Sequence, residues 1–176
     1  MKFLKIFLSI IVALAAIFFI GGMFLPKTYR VSRSINIQAP DTIIYTNISD
    51  FNKFVKWSVW SLREPSADIR IAGIPSQPGH TYNWSGEESG KGKMEIMNVQ
   101  PFSSVNFQLT FTDPFKSIAQ NNFKLSPSSK GTTVIWEMSG VNTNAMENWM
   151  GLFMDQMIGK DFEEGLKNLK QLSEKK

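Results

Sequence analysis

At 176 residues, with 43% hydrophobic side chains and a net charge of +4, the chain has room for one domain with a sizeable core beside a targeting segment. Setting aside Lys2 and Lys5, which precede a long apolar run, leaves +2, too little for the basic field that nucleic acid binding requires. Having no cysteine excludes disulfides, thiolate metal sites and an acylated cysteine.

Residues 6–25, IFLSIIVALAAIFFIGGMFL, run for twenty positions without a charge, between Lys2 and Lys5 on one side and Lys27 and Arg30 on the other. A helix of that length spans about 30 Å, the thickness of a bilayer's hydrocarbon core. A cleaved secretory signal would have an apolar region of about 7–15 residues and a small-residue exit. Here Ala13, Ala15 and Ala16 lie mid-run, and the exit through Met23, Phe24 and Leu25 is bulky. A single-pass signal anchor in the cell membrane is therefore expected, with residues 1–5 as a short tail, 6–25 as the span and 26–29 as a linker. Charge is nearly balanced across the run, Lys2, Lys5 and the amino terminus facing Lys27, Arg30 and Arg33. The short tail favours its retention inside, with the domain of residues 30–176 outside the cytoplasm.

That domain opens on an alternating strand from Arg30 to Ile37, with Val31, Ile35 and Ile37 on one side and Arg33 the misfit among them. A helix is predicted to start around Pro40 and Asp41, carrying Ile43, Ile44 and Ile48 inward. A second short helix or turn follows in FNKFVKW, then an irregular segment over 58–65 containing Trp60. From Asp68 onward ADIRIAG, HTYNWSG, KGKMEIMNV, SSVNFQLTF, SIAQNNFKLS and TTVIWEMSG read as six strands of a meander, punctuated by glycine, proline and serine turns. Tyr82 with Trp84, Met94 with Ile96, Val105 with Phe107, Leu109 and Phe111, and Val134 with Trp136 and Met138 form apolar faces. Asn83, Glu95, Asn106, Gln108, Thr110, Thr133 and Glu137 make the opposite side wet.

Beyond Asn142-Thr143-Asn144, which supply a helix cap, residues 145–172 keep helical spacing without proline and predict one long helix. Its first half gathers Met146, Trp149, Met150, Phe153, Met154 and Met157 on one face; Ile158, Phe162, Leu166, Leu169 and Leu172 point elsewhere. The stripe rotates near Gly159, which predicts a bend or π-bulge there, or two halves meeting different neighbours, the first covering a cavity and the second packing on the sheet.

Specific words along this order resemble the helix-grip fold, also called START-like or the SRPBCC superfamily. VSRSINIQAP is similar to its first strand and helix start, ISDFNKFVKWSVW to its helix leading into spaced tryptophans, and SGKGKMEI to its glycine hairpin. GTTVIWEMSG resembles its last strand and FMDQMIGKDFEEGLKNLK the final helix of bacterial members labelled polyketide cyclase/dehydrase-like. The resemblance implies an α+β fold in which a curved antiparallel sheet wraps a long C-terminal helix around a tapered apolar cavity. Superfamily members use that cavity for lipids, sterols, hormones, quinones or polyketides. The expected lining is Trp84, Phe107, Phe111, Phe123, Trp136 and Met138 from the strands and Met150, Phe153, Met154 and Met157 from the helix. Each also reads singly as a core residue, and only the set argues for a cavity. Thioethers suit irregular apolar ligands.

Catalytic machinery is not apparent. The one histidine, His80, sits after Gly79 at a strand start and reads as an exposed loop residue, with a cavity-mouth acid or base the alternative; no nucleophile motif accompanies the serines. Glu87 and Glu88 read as solvated turn residues, no metal set is spaced for ligation, and no cofactor is implied. Glu137 should face outward, whereas an inward Glu137 would be the candidate general base. Arg33 has three readings: pairing with a carboxylate inside, binding an anionic head group, or lying at a sheet edge. The leading expectation is a membrane-anchored carrier, sensor or presenter of a hydrophobic small molecule or lipid. The alternatives are a polyketide cyclase-type enzyme using the same cavity and a protein-binding module like chaperone-activating relatives, whose protein partner the sequence does not name.

Overall fold

A computed structural model describes residues 2–175 of the chain, so Met1 of the tail and Lys176 of the terminal lysine cluster lie outside the described residues. The apolar run forms α1 (Lys2–Phe24), which takes in most of the expected tail and is long and apolar enough to cross a membrane. Pro26, which has no N–H to continue a helix, follows its end. Extended structure resumes in β1 (Thr28–Ile37), earlier than expected, leaving only Leu25, Pro26 and Lys27 between helix and sheet.

After β1 come α2 (Asp41–Ser49), α3 (Phe51–Phe54) and α4 (Val59–Arg63). In α2, Ile44 and Ile48 are fully buried one turn apart, but Ile43 is 46% exposed, contrary to expectation. It lies about 100° around the helix from Ile44, and the inward place is taken by Asn47, whose amide donates to Ser173 Oγ at 3.0 Å. The stretch expected to be irregular instead holds α4; five residues are too few for a helical period to show in sequence.

The strands β2 (Asp68–Ala72), β3 (Thr81–Ser85), β4 (Lys91–Gln100), β5 (Ser104–Asp113), β6 (Ser117–Ser128) and β7 (Gly131–Val141) form the predicted meander. One antiparallel sheet results, in the order β1-β7-β6-β5-β4-β3-β2, so the first strand closes against the last. Alternation puts Val31, Ile37, Met94, Ile96, Phe107, Phe123, Val134 and Trp136 on the inner face, all buried.

The C-terminal segment is two helices, α5 (Ala145–Gly151) and α6 (Met154–Ser173), broken at Leu152 and Phe153 rather than near Gly159. Asn144 caps α5 by accepting the Glu147 N–H at 3.0 Å, and the Glu147 carboxylate accepts the Thr143 N–H at 2.5 Å. The α-helix continues unbroken through Gly159, with no π-bulge there. A Cβ there would lie 2.1 Å from the Arg33 guanidinium, so the glycine makes room for that arginine. Phe162, Leu166 and Leu169 seat α6 on the sheet, with the Phe162 ring stacked on Trp136 at 4.0 Å and an interplanar angle of 9°.

Candidate ligand cavity

Strand register fixes which residues surround the space between sheet and α6. Trp84, Gly92 and Phe111 are neighbours across β3, β4 and β5, and Tyr82, Met94 and Leu109 form the next inward row. These rows, with Met138 and Trp136 of β7, Ile158 and Phe162 of α6, and Trp60 of α4, enclose a cavity of about 390 Å³. The wall is mainly apolar, the composition expected of a small-molecule pocket.

Its polar groups are few and held. Buried Asn121 accepts the Trp136 Nε1–H at 2.5 Å, and the Tyr82 and Ser61 hydroxyls lie 3.1 Å apart. Burial pushes the Tyr82 phenol up, with the Ser61 hydrogen bond opposing, so Tyr82 keeps its proton at neutral pH. Arg63, also in the wall, reaches Asp161 Oδ1 at 2.7 Å and ties α4 to α6.

One edge of the cavity is the β3–β4 hairpin, and Glu64 holds it. Its carboxylate accepts the backbone N–H groups of Glu87 at 2.6 Å, Glu88 at 3.1 Å and Ser89 at 2.9 Å. The Ser89 hydroxyl, then these amides, lower its pKa from 4.5 to about 2. Glu87 and Glu88 are thus not only solvated turn residues: their amides form the carboxylate's cradle, and Glu88 and Ser89 contribute to the wall.

Of the ten residues expected in the lining, Trp84, Phe111, Trp136 and Met138 are in the wall. Phe107 and Phe123 are fully buried in the core, and Met154 packs against it. Met150, Phe153 and Met157 are 41%, 51% and 55% exposed and turn away from the cavity. For Met150 and the turn that follows it the physical reason is α1: Trp149 Nε1–H donates to the Phe18 carbonyl at 3.0 Å and Asn148 Nδ2–H to that of Gly22 at 2.9 Å, which fixes α5 against α1.

His80 corrects a second expectation, being fully buried rather than exposed. Its Nε2 accepts the Phe51 N–H at 3.1 Å, so Nδ1 carries the proton and donates to the Ala72 carbonyl at 2.9 Å. The ring stacks on Phe51 at 4.7 Å and serves the core. Its signal was the strand alternation, for His80 is in phase with Tyr82 and Trp84; the same alternation puts Asn121 in phase with Ala119 and Phe123. Arg33 pairs with carboxylates, 2.7 Å from Asp155 Oδ1 and 2.8 Å from Glu163 Oε1. Those bonds raise its pKa and lower that of Asp155. Glu137 faces outward and pairs with Arg30. Among the described residues, no cluster of three or more His, Asp or Glu side chains is arranged to hold a metal ion.

A curved antiparallel sheet closed over a long helix and an apolar cavity defines a START-like, SRPBCC-type protein. Residues 28–174 match the sequence family described as polyketide cyclase / dehydrase and lipid transport, and the chain belongs to that family. No curated protein sequence matches it. Protein CV1439 from Chromobacterium violaceum is a similar solved structure, with 18% identity, 86% of this chain and 100% of that chain covered, and a TM-score of 0.57. The Aha1 dimer from Colwellia psychrerythraea gives 20%, 82%, 96% and 0.58 for the same quantities. The di-domain ARO/CYC StfQ from the steffimycin biosynthetic pathway gives 8%, 84%, 51% and 0.61. At these identities the likeness shows a shared fold.

Proposed function

We propose that this protein is a membrane-anchored binding domain that takes a hydrophobic small molecule or lipid into the cavity and carries, senses or presents it. The observation that carries the reading is the position of the cavity relative to α1. Thr28 of β1 pairs with Val141, Gly140 with Ala119, Phe111 with Ser117, and Lys91 with both Asp113 and Ser85. The sheet end that follows α1 is therefore the end near which Trp84, Phe111 and Met138 line the cavity. Apolar ligands concentrate in a bilayer, and a tether of three residues keeps the cavity in that high local concentration. A signal anchor with the domain on the extracytoplasmic side is the arrangement we favour.

The cyclase reading draws on the family description and on the Tyr82–Ser61 and Asn121–Trp136 pairs inside the cavity. Tyr82, kept protonated by burial, would act there as a hydrogen-bond donor to a bound carbonyl rather than as a base.

The test is a titration of the full-length protein in mild detergent with cis-parinaric acid, read by energy transfer from tryptophans such as Trp84 and Trp136 in the wall. Binding reads as saturable transfer at one probe per chain. Ala67 lines the cavity, and Ala67→Trp should weaken binding at least about tenfold by filling it, an effect of the size expected for lost apolar contact. Transfer that rises linearly without saturation, equal in both proteins, would contradict the proposal.

A further inference from the structure

We infer that the α5–α6 junction is a second membrane-contact surface, inserted into the lipid beside α1; the inference rests on reading α1 as a membrane span. Trp149 is bonded to the carbonyl of Phe18, six residues before the end of α1 at Phe24, and at about 1.5 Å per residue this lies about 9 Å inside the helix end. The packing there is close: a Cβ on Gly22 would lie 2.9 Å from the Ala145 Cβ, and one on Gly21 would lie 3.2 Å from the Trp149 ring. Phe18 and Trp149 rings stack at 6.2 Å. A bilayer that surrounds the last turns of α1 therefore surrounds α5 as well, at the depth of about 5–10 Å where interfacial helices bury their apolar faces.

The apolar side chains that α5, the following turn and the start of α6 leave uncovered suit that solvent, with exposed Asp155, paired to Arg33, and Gln156 between them. Asn148 and Ala145 face α1, while Met146, Met150, Leu152, Phe153 and Met157 are 56%, 41%, 45%, 51% and 55% exposed. In water five such exposed apolar side chains within twelve residues are unfavourable, whereas in the acyl region they are solvated. The occupant is lipid because α5 packs directly on the last turns of α1, whose residues 6–24 carry no charge.

The chain has no cysteine, so single labelling sites are clean. Full-length Met150→Cys, Phe153→Cys and Met157→Cys, each carrying an environment-sensitive nitrobenzoxadiazole label, are reconstituted into phosphatidylcholine and phosphatidylglycerol vesicles containing spin-labelled lipid. Ile74→Cys, at an exposed site beyond the opposite end of β2, is the aqueous reference, and Leu14→Cys, within α1, is the lipid reference. The expected result is blue-shifted emission and lipid quenching at 150, 153 and 157 at least about twofold above that at 74. Strong quenching at 14 with water-like emission at the other three would overturn the second surface and leave the span standing. Water-like emission at 14 removes the span and this inference with it. Shielded labels that escape lipid quenching but transfer energy between copies would assign the patch to a second copy of the chain and overturn the lipid assignment.

Discussion

Glu64 accepts three backbone N–H groups from one hairpin, and its depressed pKa gives the fold a predictable acid response. A carboxylate lowered from 4.5 to about 2 contributes stability that is present above pH 4.5 and lost as pH falls through about 2, when the folded state must also take up the proton. Glu64→Gln should therefore lower the melting temperature at pH 7, and the gap to wild type should narrow between pH 4.5 and 2; thermal unfolding at stepped pH checks this. A gap that stayed constant would remove the carboxylate cradle from the account. At this scale the sequence was partly legible. His80 and Asn121 are both in phase with inward neighbours, so their burial could be read from alternation alone. Glu64 could not, because its partners begin 23 residues later and the pairing depends on where a hairpin folds back.

Helix α6 shows what an element's pattern does and does not specify. The spacing of Phe162, Leu166 and Leu169 correctly marked the face that seats on the sheet. The methionine stripe before it was equally visible, but a helical wheel gives the phase of a face and not the neighbour it meets, here α1 and the space beyond it. The apolar stripe rotates near Gly159 in sequence, yet that glycine leaves the space that Arg33 occupies, whose guanidinium spans Asp155 and Glu163. A double-mutant cycle follows. In the wild-type background Gly159→Ala should destabilise the protein by about 1 kcal/mol or more, since the methyl displaces an arginine fixed by two carboxylates. In an Arg33→Met background the same change should cost less or become stabilising by up to about 1 kcal/mol, the helix-propensity advantage of alanine over glycine. Chemical denaturation of the four proteins measures both; equal effects would show that the arginine is not the reason for the glycine. The five-residue α4, by contrast, is too short for any period to announce it.

At the scale of the whole molecule, alternation and turn chemistry were enough to read the strands in order, because each strand buries one face and every reversal carries glycine, proline or serine. What they could not give is the relation between α1 and the cavity, which depends on register across seven strands. That relation puts α1, the α5–α6 junction and the Trp84, Phe111 and Met138 part of the cavity wall toward one end of the sheet, which favours an apolar ligand drawn from the bilayer. The most direct measurement is native mass spectrometry of the full-length protein, purified in mild detergent, beside its Ala67→Trp variant. A cavity that takes its ligand from the bilayer gives a wild-type species heavier than the chain by one apolar molecule, absent from the variant. A bare wild-type chain, or the same adduct on both proteins, would contradict that reading.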